Sequence, residues 1–426
     1  MRRSVAALLT LALGAGLIAG CGGSGSQTPA NGDQPANVTI WSWRPQDEDL
    51  WKAVEKKLQD QGENITIEFR GIKSTEYDSV LQTAMAGGQG PDIFTTRGGS
   101  GTGKYADAGQ ILALDDIVDL SGFDAGTLDQ VSHNGKIYAV PFAVQTEEFF
   151  YNKEIFDQYG FEEPKTWDDL IKILDTLKAD GKTGIAIGGK SGYAINLMVD
   201  TIGATQLGEQ WAQDVIAGKT NFTDEKFVQV LERVDKLSEY AQKDFMASAM
   251  GDARVIFATG DAAMIIDGIW AVETYYLDTN PNIKLGAFLA PPVGNEKPLM
   301  YSYVDGGYAV NANSKVRDAA LKVLAFTATS EFAQMYADAN AEIPGNQHVT
   351  FPESKPMLQW AVKNWKENGL QTNFRIRSPF DAGSPDISTS LSANLQGMFS
   401  DQITPKQAAE ALQKDLASWY PAFQNQ

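Results

Sequence analysis

From Val38 to Trp43 the chain reads VTIWSW, a β-rich run, and over Asp47 to Leu58 the residues Leu50, Trp51, Val54 and Leu58 share one helical face. Ile65, Ile67 and Phe69 then alternate as in a strand, and Tyr77, Val80, Leu81, Ala84 and Met85 return to helical spacing. A Gly-Gly-Gln-Gly-Pro turn leads into Asp92-Ile-Phe-Thr. This order predicts β-α-β-α-β, an open sheet with helices on its faces, and so an α/β fold. Strands are predicted over Tyr138 to Phe142 and Glu148 to Tyr151. Thr166 and Asp169 form a capping box that opens a helix with Leu170, Ile173, Leu174 and Leu177 inward. An amphipathic helix follows Thr223, with Phe227, Val230, Leu231, Val234 and Leu237 on one side. Thr404-Pro405-Lys406-Gln407 starts another. No Pro/Gly linker divides residues 38–426, which predicts two lobes whose segments interleave.

The first residues have a different character. Arg2 and Arg3 precede a short apolar run from Val5 to Ala19, whose end continues as Ile18-Ala19-Gly20-Cys21. A basic start and a run too short to span ~30 Å of hydrocarbon read as an export signal over residues 1–20. The cysteine at its end resembles the bacterial lipobox, which implies lipidation of Cys21. Residues 21–37 hold no aliphatic side chain larger than alanine until the body begins and read as a flexible tether. The expected location is outside the cell, held by lipid at the outer face of the cytoplasmic membrane.

Composition narrows the chemistry. Lys+Arg is 35 against Asp+Glu 54, a formal charge of −19, which disfavours nucleic acid as a partner. One cysteine and two histidines leave few parts for a metal site or a Ser-His-Asp triad, so no cofactor, no metal and no catalysis are expected. Gly98 to Lys104 nearly spells a phosphate-binding loop, but Tyr105 stands where the magnesium-binding hydroxyl belongs; a flexible loop at a cleft mouth is the expectation. Glu147 and Glu148 are strand neighbours that point to opposite faces, so they cannot flank one glycosidic bond.

Several patches together resemble the extracytoplasmic solute-binding proteins of ABC importers, within the carbohydrate-binding group that contains maltose-binding protein. They are Gly90-Pro-Asp-Ile93, Gly135-Lys-Ile-Tyr-Ala-Val-Pro141, Tyr151-Asn-Lys-Glu-Ile-Phe156, Pro164-Lys-Thr-Trp-Asp-Asp169, the run from Gly260 through Trp270, and Asp305-Gly-Gly-Tyr-Ala-Val310. The resemblance implies a type II two-lobe fold with a hinge. The N-terminal lobe would be 38–143 with 305–345, and the C-terminal lobe 144–304 with 346–426. Implied partners are a mono- or oligosaccharide and the permease subunits of an importer, with the receptor acting as a monomer.

A sugar site stacks aromatic faces on pyranose C–H faces and uses planar polar groups for paired hydroxyls. The family positions supply Trp43, Arg44 and Asp47 after the first strand, Arg97 after the third, and Gln145 at the first crossover. They add Tyr193 and Trp270 as stacking aromatics, Asp305 and Gly306 at the second crossover, and Phe380 with Asp381 late in the chain. Of Trp41 and Trp43, on alternate sides of a strand, Trp43 is expected to be the exposed one. Thr96 and Gln145 stand where maltose-binding protein has a tryptophan and a glutamate, so maltose itself is not implied. Alternative ligands are a polyamine held by Asp47, Asp305 and Asp381, a peptide, or a small anion on Arg44, Arg97 and Lys190. An extracellular carbohydrate-active enzyme is the rival class.

Overall fold

In the computed structural model, residues 35–294, 296–340, 342–369 and 377–424 are described. The export signal, Cys21 and nearly all of the tether lie outside the described residues. The strands are β1 (Ala36–Ser42), β2 (Ile65–Gly71), β3 (Ile93–Arg97), β4 (Ser132–His133), β5 (Lys136–Ile137) and β6 (Val140–Asn152). Then come β7 (Thr183–Ala186), β8 (Ala262–Gly268), β9 (Leu285–Phe288), β10 (Tyr301–Val310) and β11 (Ile343–Pro344). β1 begins two residues before Val38, pairing Ala36 and Asn37 with Ile65 and Thr66.

Apart from a small β4–β5 hairpin, these strands form one mixed sheet in the order β2-β1-β3-β10-β6-β8-β7, with β9 and β11 also on β6. The two strands predicted on either side of Ala143 to Glu147 are one strand of 13 residues, buried throughout. It is uninterrupted because the polar stretch Gln145 to Glu148 is flanked by other strands, which supply its backbone partners: β10 with β11 or β8, then β8 with β9.

Two hydrophobic cores meet along β6. Val140, Phe142 and Val144 join Ile40, Trp51, Phe94, Tyr308, Leu324 and Phe332 in one. Phe149, Phe150 and Tyr151 join Leu174, Ile195, Leu231, Phe257, Ile265 and Leu412 in the other. Helix Pro356–Asn368 serves both, giving Leu358 and Val362 to the first and Met357 and Ala361 to the second. Both capping boxes form: Thr166 Oγ1 accepts from the Asp169 N–H at 3.2 Å, and Thr404 Oγ1 from the Gln407 N–H at 3.2 Å. The glycine-rich stretch after β3 corrects the loop expectation. It winds into helix Ser100–Asp107, where Gly103 leaves room for the His133 ring. That histidine, in turn, contacts Asp107 at 2.6 Å.

Candidate functional site

The register of the central sheet gathers one set of side chains. Arg97 lies opposite Gly306, Gly306 opposite Ala143, Tyr303 opposite Gln145, and Tyr301 opposite Glu147. Across the other edge of β6, Glu147 lies opposite Gly268. Residues directly opposite in an antiparallel ladder share a face, and a period of two keeps 143, 145 and 147 together. Arg97, Tyr303, Gln145, Glu147 and both glycines therefore lie on one face. The register slips between Val304 and Gly306, so Asp305 is an inserted residue whose side chain a bulge re-aims beside that set. From Tyr301 to Gly306 the strand covers roughly 16 Å.

Each glycine on this face lies beneath an indole. A Cβ on Gly306 would come 2.6 Å from Cη2 of Trp43, and one on Gly268 would come 1.8 Å from Cζ3 of Trp270. Trp43 donates from Nε1 to Asp305 Oδ2 at 3.3 Å. The Arg97 guanidinium lies 4.5 Å from the Trp43 ring and donates from Nε to Asp78 Oδ2 at 3.0 Å. Burial works against the charge on Arg97, but Asp78 and Asp305 outweigh it and hold the guanidinium above its ordinary pKa. Its side chain nevertheless remains 38% exposed.

A second cluster adjoins Trp270, at the C-terminal ends of the parallel strands β7 and β8, where open α/β sheets bind ligands. Tyr193 follows β7 in the first turn of helix Gly192–Ile216 and is 45% exposed. Its hydroxyl is pushed up to about 12, first by the protein crowded around it, while Arg254 pulls the other way. Arg254, in helix Met250–Ala258, makes a bidentate pair with Asp267 at 2.7 and 2.9 Å. Asp267 also accepts from the Tyr276 hydroxyl at 2.8 Å and from the Gly268 N–H at 2.9 Å, fixing the turn that carries Trp270. The Arg254 guanidinium lies 4.0 Å from the Tyr275 ring. Asp381 joins this side, accepting from Ser388 Oγ at 3.0 Å, while the Ser388 carbonyl accepts from Asn196 on the Tyr193 helix.

The sequence-predicted residues separate accordingly. Arg97, Gln145, Asp305 and Gly306 share the sheet face, with Trp270 over it and Tyr193 and Asp381 beyond. Trp43 corrects the expectation of an open stacking surface: it is 6% exposed, enclosed by Tyr77, Phe142 and Arg97. Trp41 is the half-buried member, beside Arg70. Arg44 and Asp47 are also corrected. Arg44 bonds Asp47 at 2.7 Å and Glu342 at 2.9 Å, between the rings of Phe142 and Tyr336, and all three charged side chains are buried. A buried guanidinium needs such partners, which leaves neither Arg44 nor Asp47 free for solute. Phe380 is fully buried, stacked on Phe423 and close to Tyr420, and so belongs to the second core. Gly306 acts by lacking a side chain. Sequence reasoning missed Asp78, Tyr275, Tyr303 and the Arg254–Asp267 pair. Asp267 lay in the same patch as Trp270 and could have been found there; the others carry no local signal. Two concavities, of about 680 Å³ beside Asp115 and Ile117 and about 270 Å³ beside Lys284 and Met357, are lined by none of the predicted site residues, although the second is bounded by Val272, Glu273 and Leu277 of the turn that carries Tyr275.

The profile of bacterial extracellular solute-binding proteins matches residues 42–334, from the end of β1 through β10 and helix Arg317–Thr327 into helix Ser330–Ala339. The chain belongs to that family. It is a family of solute-binding proteins and not of enzymes, which removes the rival class. Among curated relatives, an ABC transporter extracellular-binding protein of Pyrococcus horikoshii is 27% identical over 93% of this chain and 92% of its own length. The diacetylchitobiose-binding protein of Streptomyces coelicolor is 28% identical over 82% of this chain and 83% of its own. A solved chitin oligosaccharide binding protein superposes with a TM-score of 0.78 at 26% identity, covering 91% of this chain and 99% of that one. The fold is the type II two-lobe α/β arrangement. No helix among the described residues is long and apolar enough to cross a membrane.

Proposed function

We propose that this protein is the lipid-anchored, monomeric receptor of an ABC importer, which captures a mono- or oligosaccharide between its lobes and hands it to the permease. The observation that carries the ligand class is the pairing of aromatic and planar polar groups on and beside one sheet face. Trp270 and Tyr193 offer ring surfaces, Arg97 a guanidinium fork and Asp305 a carboxylate for adjacent hydroxyls, while the Gln145 amide, 2% exposed, lies beneath them in the sheet and meets solute only when the lobes part. Charges of both signs there favour a neutral, hydroxyl-rich solute over a polyamine or an anion. The sugar-binding names of several relatives point the same way.

The proposed lobes are 38–143 with 305–345 and 144–304 with 346–426; each holds most of one core, helix Pro356–Asn368 packs on both, and β6 and β10 carry the chain between them. Solute that contacts both lobes shifts the open–closed equilibrium by its differential affinity, and no bond in it is broken. Cys21 carries the lipid, and residues 22–35 give the body reach from the membrane.

The test is a thermal-shift screen of the soluble body, refolded to strip bound solute, against sugars, polyamines and anions. A sugar at about 100 times its dissociation constant adds ~2.7 kcal/mol of stability. Stabilisation by a polyamine or anion and by no sugar overturns the ligand assignment.

A further inference from the structure

Large apolar side chains that remain exposed among the described residues include two tyrosines, Tyr193 at 45% and Tyr275 at 39%. Arg254 links them: its guanidinium lies 4.0 Å from the Tyr275 ring and also bears on the Tyr193 hydroxyl. Tyr275 and Tyr276 sit in a π-helical turn, Val272–Leu277, immediately after Trp270. Such turns are rare and cluster at functional sites. This one sends the two tyrosines different ways. Tyr276 is fully buried and donates to Asp267, whereas Tyr275 stays at the surface with the Arg254 guanidinium 4.0 Å from its ring.

Arg254 is itself fixed. Its bidentate bond to Asp267 and its burial allow it one geometry, so the Tyr275 ring is backed by a rigid cation. A ring held in place at one face and open to solvent elsewhere gains nothing for the fold from its exposure. It is pre-organised for a flat, weakly apolar partner, which binds without the cost of ordering a mobile side chain.

We infer that Tyr275, positioned by Arg254 and Asp267, is a second ring-binding surface beyond Trp270, and that the solute is an oligosaccharide with at least two rings. Trp270 takes one ring on the sheet face, and Tyr275 with Tyr193 takes the next. Arg254 acts from within the protein, on the Tyr275 ring and on the Tyr193 hydroxyl, and is a positioning residue. The inference rests on the carbohydrate reading above and adds a chain-length requirement to it.

The experiment is titration calorimetry of wild type, Tyr275→Ala and Tyr275→Phe. The probes are four series of increasing length: glucose to maltotriose, galactose to raffinose, N-acetylglucosamine to triacetylchitotriose, and xylose to xylotriose. In the series that binds, wild type is expected to favour the di- or trisaccharide over the monosaccharide by about tenfold or more. Tyr275→Ala removes about that factor from the longer sugar, leaves the monosaccharide within about twofold, and Tyr275→Phe restores the longer sugar. Melting curves of the three proteins control for folding; the exposed position predicts little change. Wild-type binding without length dependence, or an equal loss for every length in Tyr275→Ala, overturns the inference and leaves the carbohydrate reading standing. No binding of any sugar to wild type overturns both.

Discussion

Gly268→Ala isolates the contribution of Trp270 without touching the tryptophan. Gly268 has no positive φ and pairs with Glu147 in a regular ladder, so alanine strains nothing in the backbone. Its methyl, however, would fall 1.8, 2.1 and 2.2 Å from Cζ3, Cη2 and Cε3 of Trp270. Ordinary carbon contacts begin near ~3.5 Å, so the ring must move by about 1.7 Å or swing out. A stacking contact of this kind contributes about 0.5–1.5 kcal/mol beyond area, and the displaced ring also surrenders apolar contact with the solute. The expected loss of affinity is therefore about 10- to 100-fold, or ~1.4–2.7 kcal/mol. Calorimetry of wild type, Gly268→Ala, Trp270→Ala and the double variant with the sugar found in the screen reads it. Because both substitutions remove one ring, their effects should not add, and the double variant should match Trp270→Ala within a few tenths of a kcal/mol. Binding of Gly268→Ala within twofold of wild type, or fully additive losses, would mean that Trp270 does not stack on the solute from its place above Gly268.

Other consequences are separately measurable. Arg44→Met leaves Asp47 and Glu342 buried without their cation, which should cost about 3–5 kcal/mol in urea unfolding while the folded protein keeps its sugar affinity. Unchanged stability would mean the cluster is not the buried counterion set described. Burial, reinforced by Glu147 and Asp267 and opposed by the Thr146 hydroxyl, holds the fully buried Glu148 carboxyl well above the ordinary 4.5. Its contribution to stability is thus complete below that value and is lost as pH rises toward the folded-state pKa. Glu148→Gln should flatten the fall in stability above pH ~4.5 by up to ~1.4 kcal/mol per pH unit, as read by denaturant unfolding across pH; an unaltered slope counts against a neutral Glu148. Cys21→Ser should move the protein from the membrane fraction to the soluble exported fraction, and retention at the membrane would contradict the lipid anchor.

Much of the fold was legible because its helices and strands obey local periodicity. Leu50, Trp51, Val54 and Leu58 face inward as their spacing predicts, and so do Phe227, Val230, Leu231, Val234 and Leu237. β6 was not, because its polar centre reads as a break until the flanking strands are known. Site residues were legible as motifs and misread as environments. Arg44 finds Glu342 almost three hundred positions away, a pairing with no sequence signature. Trp43 sits one residue beyond β1, where strand alternation no longer governs direction, and the ring turns into the core. Phe380 follows the same pattern, since the partners that bury it, Phe222 and Phe423, lie far from it in sequence or in a separate element. Tyr275 escaped because a π-turn breaks helical spacing, so two adjacent tyrosines acquire opposite fates.

On the proposed reading, the receptor closes on a sugar held at the face shared by Arg97, Gln145 and Gly268. Small-angle X-ray scattering of the soluble body, with and without a stabilising sugar, tests it most directly when wild type is paired with Trp270→Ala. Added sugar is expected to reduce the radius of gyration of wild type and to leave that of Trp270→Ala unchanged at the same concentration. Saturated binding with an unchanged radius, or equal compaction in both proteins, would contradict it.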